Sequence, residues 1–409
     1  MVKVLKGGLT EVPGFLATGV RAGIKRRGPD LMLVVSENGP VPAAGAFTTN
    51  RVKGAPLVVT RNHLKKGRLG AVVANSGISN AYTGRRGLRD AYRMAQLTAK
   101  LLKLRTRDVG VASTGLIGSY LPMNKIEAGI RIAVNRLSRS REASINAARA
   151  IMTTDTVPKE IAVRLRLDDG TPATIAGIAK GSGMVRPNLK TATMLAFLVT
   201  DVEITSEALR TSLQKAIDQS FNMVNIDNDM STSDMVLIMA NGLAKNRCIT
   251  LRGDKRFQLA LNHVLIELAR MIARDGEGAT RLIEVHIKNA LTLKEAQSAA
   301  RTVVGSNLVK AAVFGKDPNW GRIVAALGNS NARFDPGRLT LDLVSEQGRV
   351  GLVKKGVPAS KRVLERAREI MGSREIEIHV DLAAGKYDAT AWGCDLTYDY
   401  VRINSRYTT

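Results

Sequence analysis

The chain has 409 residues, enough for two compact lobes, and its 61 lysines and arginines outnumber 36 aspartates and glutamates to give a formal charge of +25. No apolar run approaches a bilayer span, and the two cysteines, Cys248 and Cys394, exclude a disulfide framework and a CxxC zinc site. The charge alone does not choose between nucleic acid, an anionic membrane and a small acidic substrate, but the basic residues are dispersed, as in Lys25-Arg26-Arg27, Lys65-Lys66, Arg85-Arg86 and Lys354-Lys355, and aromatics make up only 4%, so a solvated basic surface is expected in place of a nucleic-acid site. The first residues lack the apolar core of a secretory signal, which with so few cysteines points to the cytoplasm.

Along the chain, Leu88, Ala91, Tyr92, Ala95, Ala99 and Leu102 recur at helical spacing and predict an amphipathic helix with those residues turned inward. A second helical run covers Ala143 to Met152. Val163 to Leu167 and Ala173 to Lys180, joined by Asp168-Asp169-Gly170, predict a hairpin. Gly181-Ser182-Gly183 and a proline loop then lead into Met194 to Val199, whose unbroken apolar character predicts a buried strand with Thr193 at its mouth. Phe257, Leu261, Val264, Leu265, Leu268 and Ile272 predict a helix that stops at Asp275-Gly276. Ile283, Val285 and Ile287, and later Ile376, Ile378 and Val380, alternate with polar residues and predict strands with one wet face. Helical and strand patterns alternate from end to end, so the fold class is α/β or α+β.

Familiar catalytic patterns are absent: there is no GxSxG, GxxxxGK[ST], HExxH or GxGxxG. His63, His263, His286 and His379 lie far apart in sequence and are assigned surface roles, and the cysteines are read as structural thiols. A hydroxyl can still be activated without histidine when it belongs to an N-terminal threonine, because the α-amino group, with a pKa of about 7.7–8.0, accepts its proton. Such a threonine must be made by chain cleavage. Lys190-Thr191-Ala192-Thr193-Met194-Leu195 suits this, with small residues at the Ala192–Thr193 bond, a glycine-rich stretch before it and an apolar strand after it.

Lys180-Gly181-Ser182-Gly183-Met184-Val185-Arg186-Pro187-Asn188 followed by Ala192-Thr193-Met194-Leu195 resembles the self-processing site of the ornithine acetyltransferases, also called glutamate N-acetyltransferases. Ordered blocks extend the likeness over the whole chain. They include Ser113-Thr114-Gly115-Leu116-Ile117-Gly118, Met152-Thr153-Thr154-Asp155-Thr156, Ser231-Thr232-Ser233-Asp234, Ala273 to Thr280, Asp317 to Arg322, Trp392 to Leu396, Tyr400 to Asn404 and Tyr407-Thr408-Thr409. Three departures stand out: Lys190-Thr191 is inserted before the cleavage site, making Thr191 a second, less favoured nucleophile, Tyr82 stands where the family often has cysteine, and Asn228 replaces a glycine in a turn that asparagine can occupy.

The resemblance implies an αββα sandwich like that of N-terminal-nucleophile enzymes but differently connected, with a smaller α/β lobe at about residues 281–390 and a tail, 391–409, returning to the active site. It implies cleavage into an α chain of residues 1–192 and a β chain of residues 193–409, assembled as α2β2. The implied reaction moves the acetyl group of N2-acetylornithine to Thr193 and then to glutamate in arginine biosynthesis, with no cofactor or metal. Thr114 and Gly115 would form the oxyanion hole, while Thr153, Lys180, Glu277, Asn404 and Thr409 would bind substrate beside Thr193. Acetyl-CoA as a further donor is left open. The rival readings are an amide hydrolase of the β-aminopeptidase kind, in which water resolves the acyl-enzyme, and a basic nucleic-acid-binding protein.

Overall fold

The computed structural model describes residues 2–186 and 194–406. The N-terminal portion contains strands β1 (Lys3–Leu5), β2 (Phe15–Val20), β3 (Leu31–Ser36) and β4 (Val41–Phe47), helix α1 (Ala55–His63), and strands β5 (Arg68–Leu69) and β6 (Ala71–Ile78). Helix α2 (Gly84–Leu102), strand β7 (Val109–Leu116), helices α3 (Met123–Asn135) and α4 (Arg141–Ala150), and the hairpin β8 (Lys159–Arg166) and β9 (Pro172–Lys180) follow. Next come β10 (Leu195–Thr200), α5 (Ser206–Asp218), β11 (Met235–Ala240) and α6 (Lys255–Arg274). The C-terminal part holds β12 (Leu282–Ala290), α7 (Leu293–Gly305), α8 (Asn307–Phe314), α9 (Trp320–Gly328), β13 (Thr340–Ser345), β14 (Gly348–Lys354) and β15 (Val357–Pro358). It ends with α10 (Lys361–Ile370), β16 (Glu375–Asp381), β17 (Tyr387–Cys394) and α11 (Tyr398–Arg406).

Two sheets lie face to face. One has the order β1-β8-β9-β10-β11-β4-β5 and the other β2-β3-β6-β7. Successive residues of a strand point to opposite faces, and here both faces are buried. Leu195, Phe197 and Val199 of β10 meet Met32, Val72 and Ala74 of the opposing sheet, while Ala196 and Leu198 face the helices outside. Helices α2 and α3 cover the outer face of the smaller sheet and α5 and α6 that of the larger one, completing an αββα sandwich. The apolar run that marks β10 therefore reflects burial on both sides.

Asp254 caps α6 by accepting the Phe257 N–H at 2.8 Å. Its inward stripe, from Phe257 through Leu261, Val264, Leu265 and Leu268 to Ile272, is fully buried. Each such side chain contributes about 1.5–3 kcal/mol relative to exposure. Helix α2 differs from its predicted face: Leu88 and Tyr92 are exposed, and the helix buries Gly87, Ala91, Met94, Ala95, Thr98 and Ala99. Small residues there let α1 and α3 approach, and the larger side chains are displaced to the rim.

A third sheet, ordered β15-β14-β13-β16-β12-β17, occupies residues 348–358, 340–345 and the strands β12, β16 and β17, with α7 packed on β12 and β17. Its apolar face continues into the core beneath α6. Among the described residues no helix is long and apolar enough to cross a membrane.

Candidate active site

Ends of both stacked sheets converge on one cavity. In the smaller sheet the parallel strands β6 and β7 pair Ser76 with Thr114 and Gly77 with Gly115. In the larger sheet Leu195, which opens β10, pairs with Lys180 at the end of β9 and with Met235 at the start of β11. Thr114 and Gly115 from one sheet, and Lys180, Met194 and Asp234 from the other, line a cavity of about 210 Å3 together with Thr153, Ser231, Ser233, Glu277 and Asn404. Thr193, Ala192 and Thr409, and the inserted Lys190-Thr191, lie outside the described residues.

Glycine at position 115 is dictated by geometry. Its φ is +127°, and a Cβ there would sit 2.3 Å from the Gly77 carbonyl carbon. The Ser113 hydroxyl donates to Asn75 Oδ1 at 2.6 Å, and Asn75 Nδ2 donates to the Ile78 carbonyl at 2.9 Å, tying the ends of β6 and β7 together.

A buried ionic network organises the opposite wall. Lys159, 1% exposed, bridges Asp155 at 2.7 Å and Asp275 at 2.5 Å. Asp155 accepts the N–H groups of Gly181 at 2.7 Å and Thr153 at 3.0 Å, positioning the end of β9 and the residues that follow α4. Asp275, delivered by the C-terminus of α6, accepts the Thr156 N–H at 3.0 Å and also the Thr156 hydroxyl. The Ser182 hydroxyl donates to the Asp275 carbonyl at 2.6 Å, and the Glu277 N–H donates to the Ser182 carbonyl at 2.9 Å. Gly183 makes room for the Glu277 carboxylate, since a Cβ would lie 2.3 Å from its carbon. Asn404 Nδ2 in turn donates to Glu277 Oε2 at 2.8 Å, holding α11 at the cavity. Gly278 permits this docking, because its φ is +69° and a Cβ would come within 2.6 Å of the Tyr400 nitrogen.

Burial dominates the electrostatics. It lowers the pKa of Lys180, an effect that Asp155, Asp234 and Glu277 oppose. Burial would raise the pKa of Asp155, but Lys159, Lys180 and the Gly181 N–H hold it well below the usual carboxylate range. Asp234, 1% exposed, is pushed well above that range by burial despite Lys180, the Thr48 hydroxyl and the Met194 N–H. Its Oδ2 has no hydrogen-bond partner among the described residues. The cavity thus combines the Thr114-Gly115 strand end on one wall with the Lys180 amine and two carboxyls, Asp234 and Glu277, on the other.

Of the residues singled out from sequence, Thr114, Gly115, Thr153, Lys180, Glu277 and Asn404 share this cavity. Asp234, Asp155, Asp275 and Lys159 had no assigned role. The first three lie inside blocks quoted for the resemblance, whereas Lys159 opens a strand beside Glu160, a charged pair that carries no signal of burial. Asn228 adopts φ +65°, in keeping with the glycine it replaces. Cys394 is buried, with burial raising its pKa, and Cys248 is exposed.

Comparison with known proteins gives this arrangement a family. The chain is 52% identical to the arginine biosynthesis bifunctional protein ArgJ of Symbiobacterium thermophilum over 411 aligned residues, covering 99% of each chain. It is 47% identical to the glutamate N-acetyltransferase of Methanothermobacter thermautotrophicus over 411 residues, covering 100% of this chain and 99% of the relative. A crystal structure of ornithine acetyltransferase complexed with ornithine, from Mycobacterium tuberculosis, matches 46% of this chain and 100% of its own at 42% identity and a TM-score of 0.44. The ArgJ family model matches residues 16–409, so the chain belongs to the ArgJ family.

Proposed function

We propose that this protein is a glutamate N-acetyltransferase of arginine biosynthesis that moves the acetyl group of N2-acetylornithine to glutamate through an ester on Thr193. The observation that carries the reading is the meeting, in one cavity, of the Thr114-Gly115 strand end with Met194, the residue that directly follows Thr193. In the precursor, Thr193 Oγ attacks the Ala192 carbonyl and the peptide C–N bond breaks, giving an ester and freeing the Thr193 amine; water then hydrolyses the ester, releasing the Ala192 carboxylate and the Thr193 hydroxyl. Residues 1–192 and 193–409 become two chains of one fold.

In the mature enzyme the Thr193 amine takes the hydroxyl proton as Oγ attacks the acetyl carbonyl. The Thr114 hydroxyl and Gly115 N–H stabilise the oxyanion, and the proton passes to the departing α-amine of ornithine. Glutamate then attacks the ester with its amine and regenerates Thr193. Lys180 pairs with a substrate carboxylate, Glu277 holds the side-chain ammonium of ornithine, and Asn404, Thr153 and Thr409 complete the binding site. The chains assemble as α2β2 in the cytoplasm.

Denaturing electrophoresis with N-terminal sequencing tests the proposal. Wild-type protein yields two fragments, the second beginning Thr193-Met194-Leu195, and Thr193→Ala remains whole. A wild-type chain that stays intact yet transfers acetyl groups at full rate contradicts it. Acetate release that ignores glutamate would replace the second acceptor with water.

A further inference from the structure

Strand register assembles a second chemical cluster, away from the residues that line the active-site cavity. β12 and β16 run parallel, with His286 paired to His379 and Glu284 paired to Glu377. Residues two apart on a strand share a face, so these four side chains form a square on one side of the sheet. Glu377 Oε2 is 2.6 Å from His379 Nε2 and 3.5 Å from His286 Nε2. The two imidazole rings lie 4.5 Å apart.

Three features point beyond a surface ion pair. Among the described residues no lysine or arginine lies within ion-pair distance of Glu377, whose partners at that distance are the two imidazoles. His286 Nδ1 is 3.1 Å from Thr390 Oγ1 on β17, and donation from Nδ1–H to that hydroxyl leaves the Nε2 lone pair facing Glu377. His286 Nε2 itself is buried and makes no hydrogen bond among the described residues. A His379–Glu377 pair alone explains His379 and leaves this nitrogen without a role.

We propose that His286, His379 and Glu377 form a binding site for zinc or a similar first-row divalent ion, with two imidazole nitrogens and one carboxylate oxygen as ligands. Their ligand atoms lie within 4.8 Å of one another. Zinc holds such atoms at about 2.0–2.2 Å, so side-chain torsions suffice to close the site. Glu284, ion-paired with Arg270 at 2.7 Å, flanks the site as an outer carboxylate 3.7 Å from His286 Nε2. The three side chains are each partly exposed, so the site lies close to the protein surface. The ion would link the adjacent strands β12 and β16 within the six-stranded sheet.

The test uses tag-free, full-length protein equilibrated with ZnCl2 or CoCl2 and then dialysed against trace free metal. One ion per chain is expected, with a visible cobalt absorption band and a higher melting temperature than the chelator-treated protein. The near-isosteric variants His286→Asn and His379→Gln should keep the wild-type circular dichroism. Each should weaken affinity by at least the roughly 10–100-fold that loss of an outer partner costs, and lose the metal-dependent gain in melting temperature. Wild-type protein that retains no stoichiometric metal, or folded variants that retain all of it, would overturn the proposal.

Discussion

Thr114 and Lys159 show two different ways in which a single side chain serves this site. Thr114 lines the cavity, where its hydroxyl is proposed to hold the oxyanion, so Thr114→Ala should lower kcat about 10^2–10^3-fold while leaving KM for acetylornithine little changed, measured by steady-state kinetics. Lys159 acts from behind the wall. Replacing it with methionine leaves the buried carboxylates of Asp155 and Asp275 without their shared cation, and unfolding in urea should show a loss of about 3–5 kcal/mol. Asp155 is held below its ordinary range in the folded protein, so its contribution is full above the unfolded pKa of about 3.9 and fades as pH falls through the folded value. Wild-type stability should therefore drop below about pH 4, and Lys159→Met should show a weaker drop. Thr114, Gly115, Lys180 and Glu277 were legible through motif resemblance, because each sits within a distinctive block. Lys159 was not, since a buried lysine is revealed only by the partners that folding brings to it, one of them on a distant helix end.

Strand β10 joins the two proposed chains at the level of elements. It pairs with β9 on one side and β11 on the other, so cleavage ahead of it leaves a full ladder of hydrogen bonds between the fragments. The fragments should co-elute in native size-exclusion chromatography and separate only in denaturant; separation under native conditions would contradict this topology. Elements with one dominant stripe, such as α6, or an unbroken apolar run, such as β10, could be read directly from residue order. Helix α2 could not, because two apolar stripes compete on it. The alanine and Met94 stripe reaches the core, while Tyr92 stays at the rim with its ring edge-on to His63 at 6.2 Å. Sheet order was also hidden, since β4 joins β11 across more than half of the sequence that precedes it.

The formal charge of +25 is carried largely by exposed lysines and arginines, while buried Lys159 is paired with Asp155 and Asp275. Such a field attracts glutamate, which is a net anion, more than N2-acetylornithine, whose charges cancel. Raising ionic strength to 0.5 M should thus reduce kcat/KM for glutamate more than for acetylornithine, because screening shortens the field from the roughly 10 Å reached at 0.1 M. Equal salt dependence for both substrates would count against electrostatic steering.

The central claim, that Thr193 carries the acetyl group, is tested most directly by intact mass spectrometry of the enzyme mixed with N2-acetylornithine alone. The fragment beginning at Thr193 should gain one acetyl group, located on that threonine, and lose it when glutamate is added. Turnover at full rate with that fragment never acetylated would contradict the account.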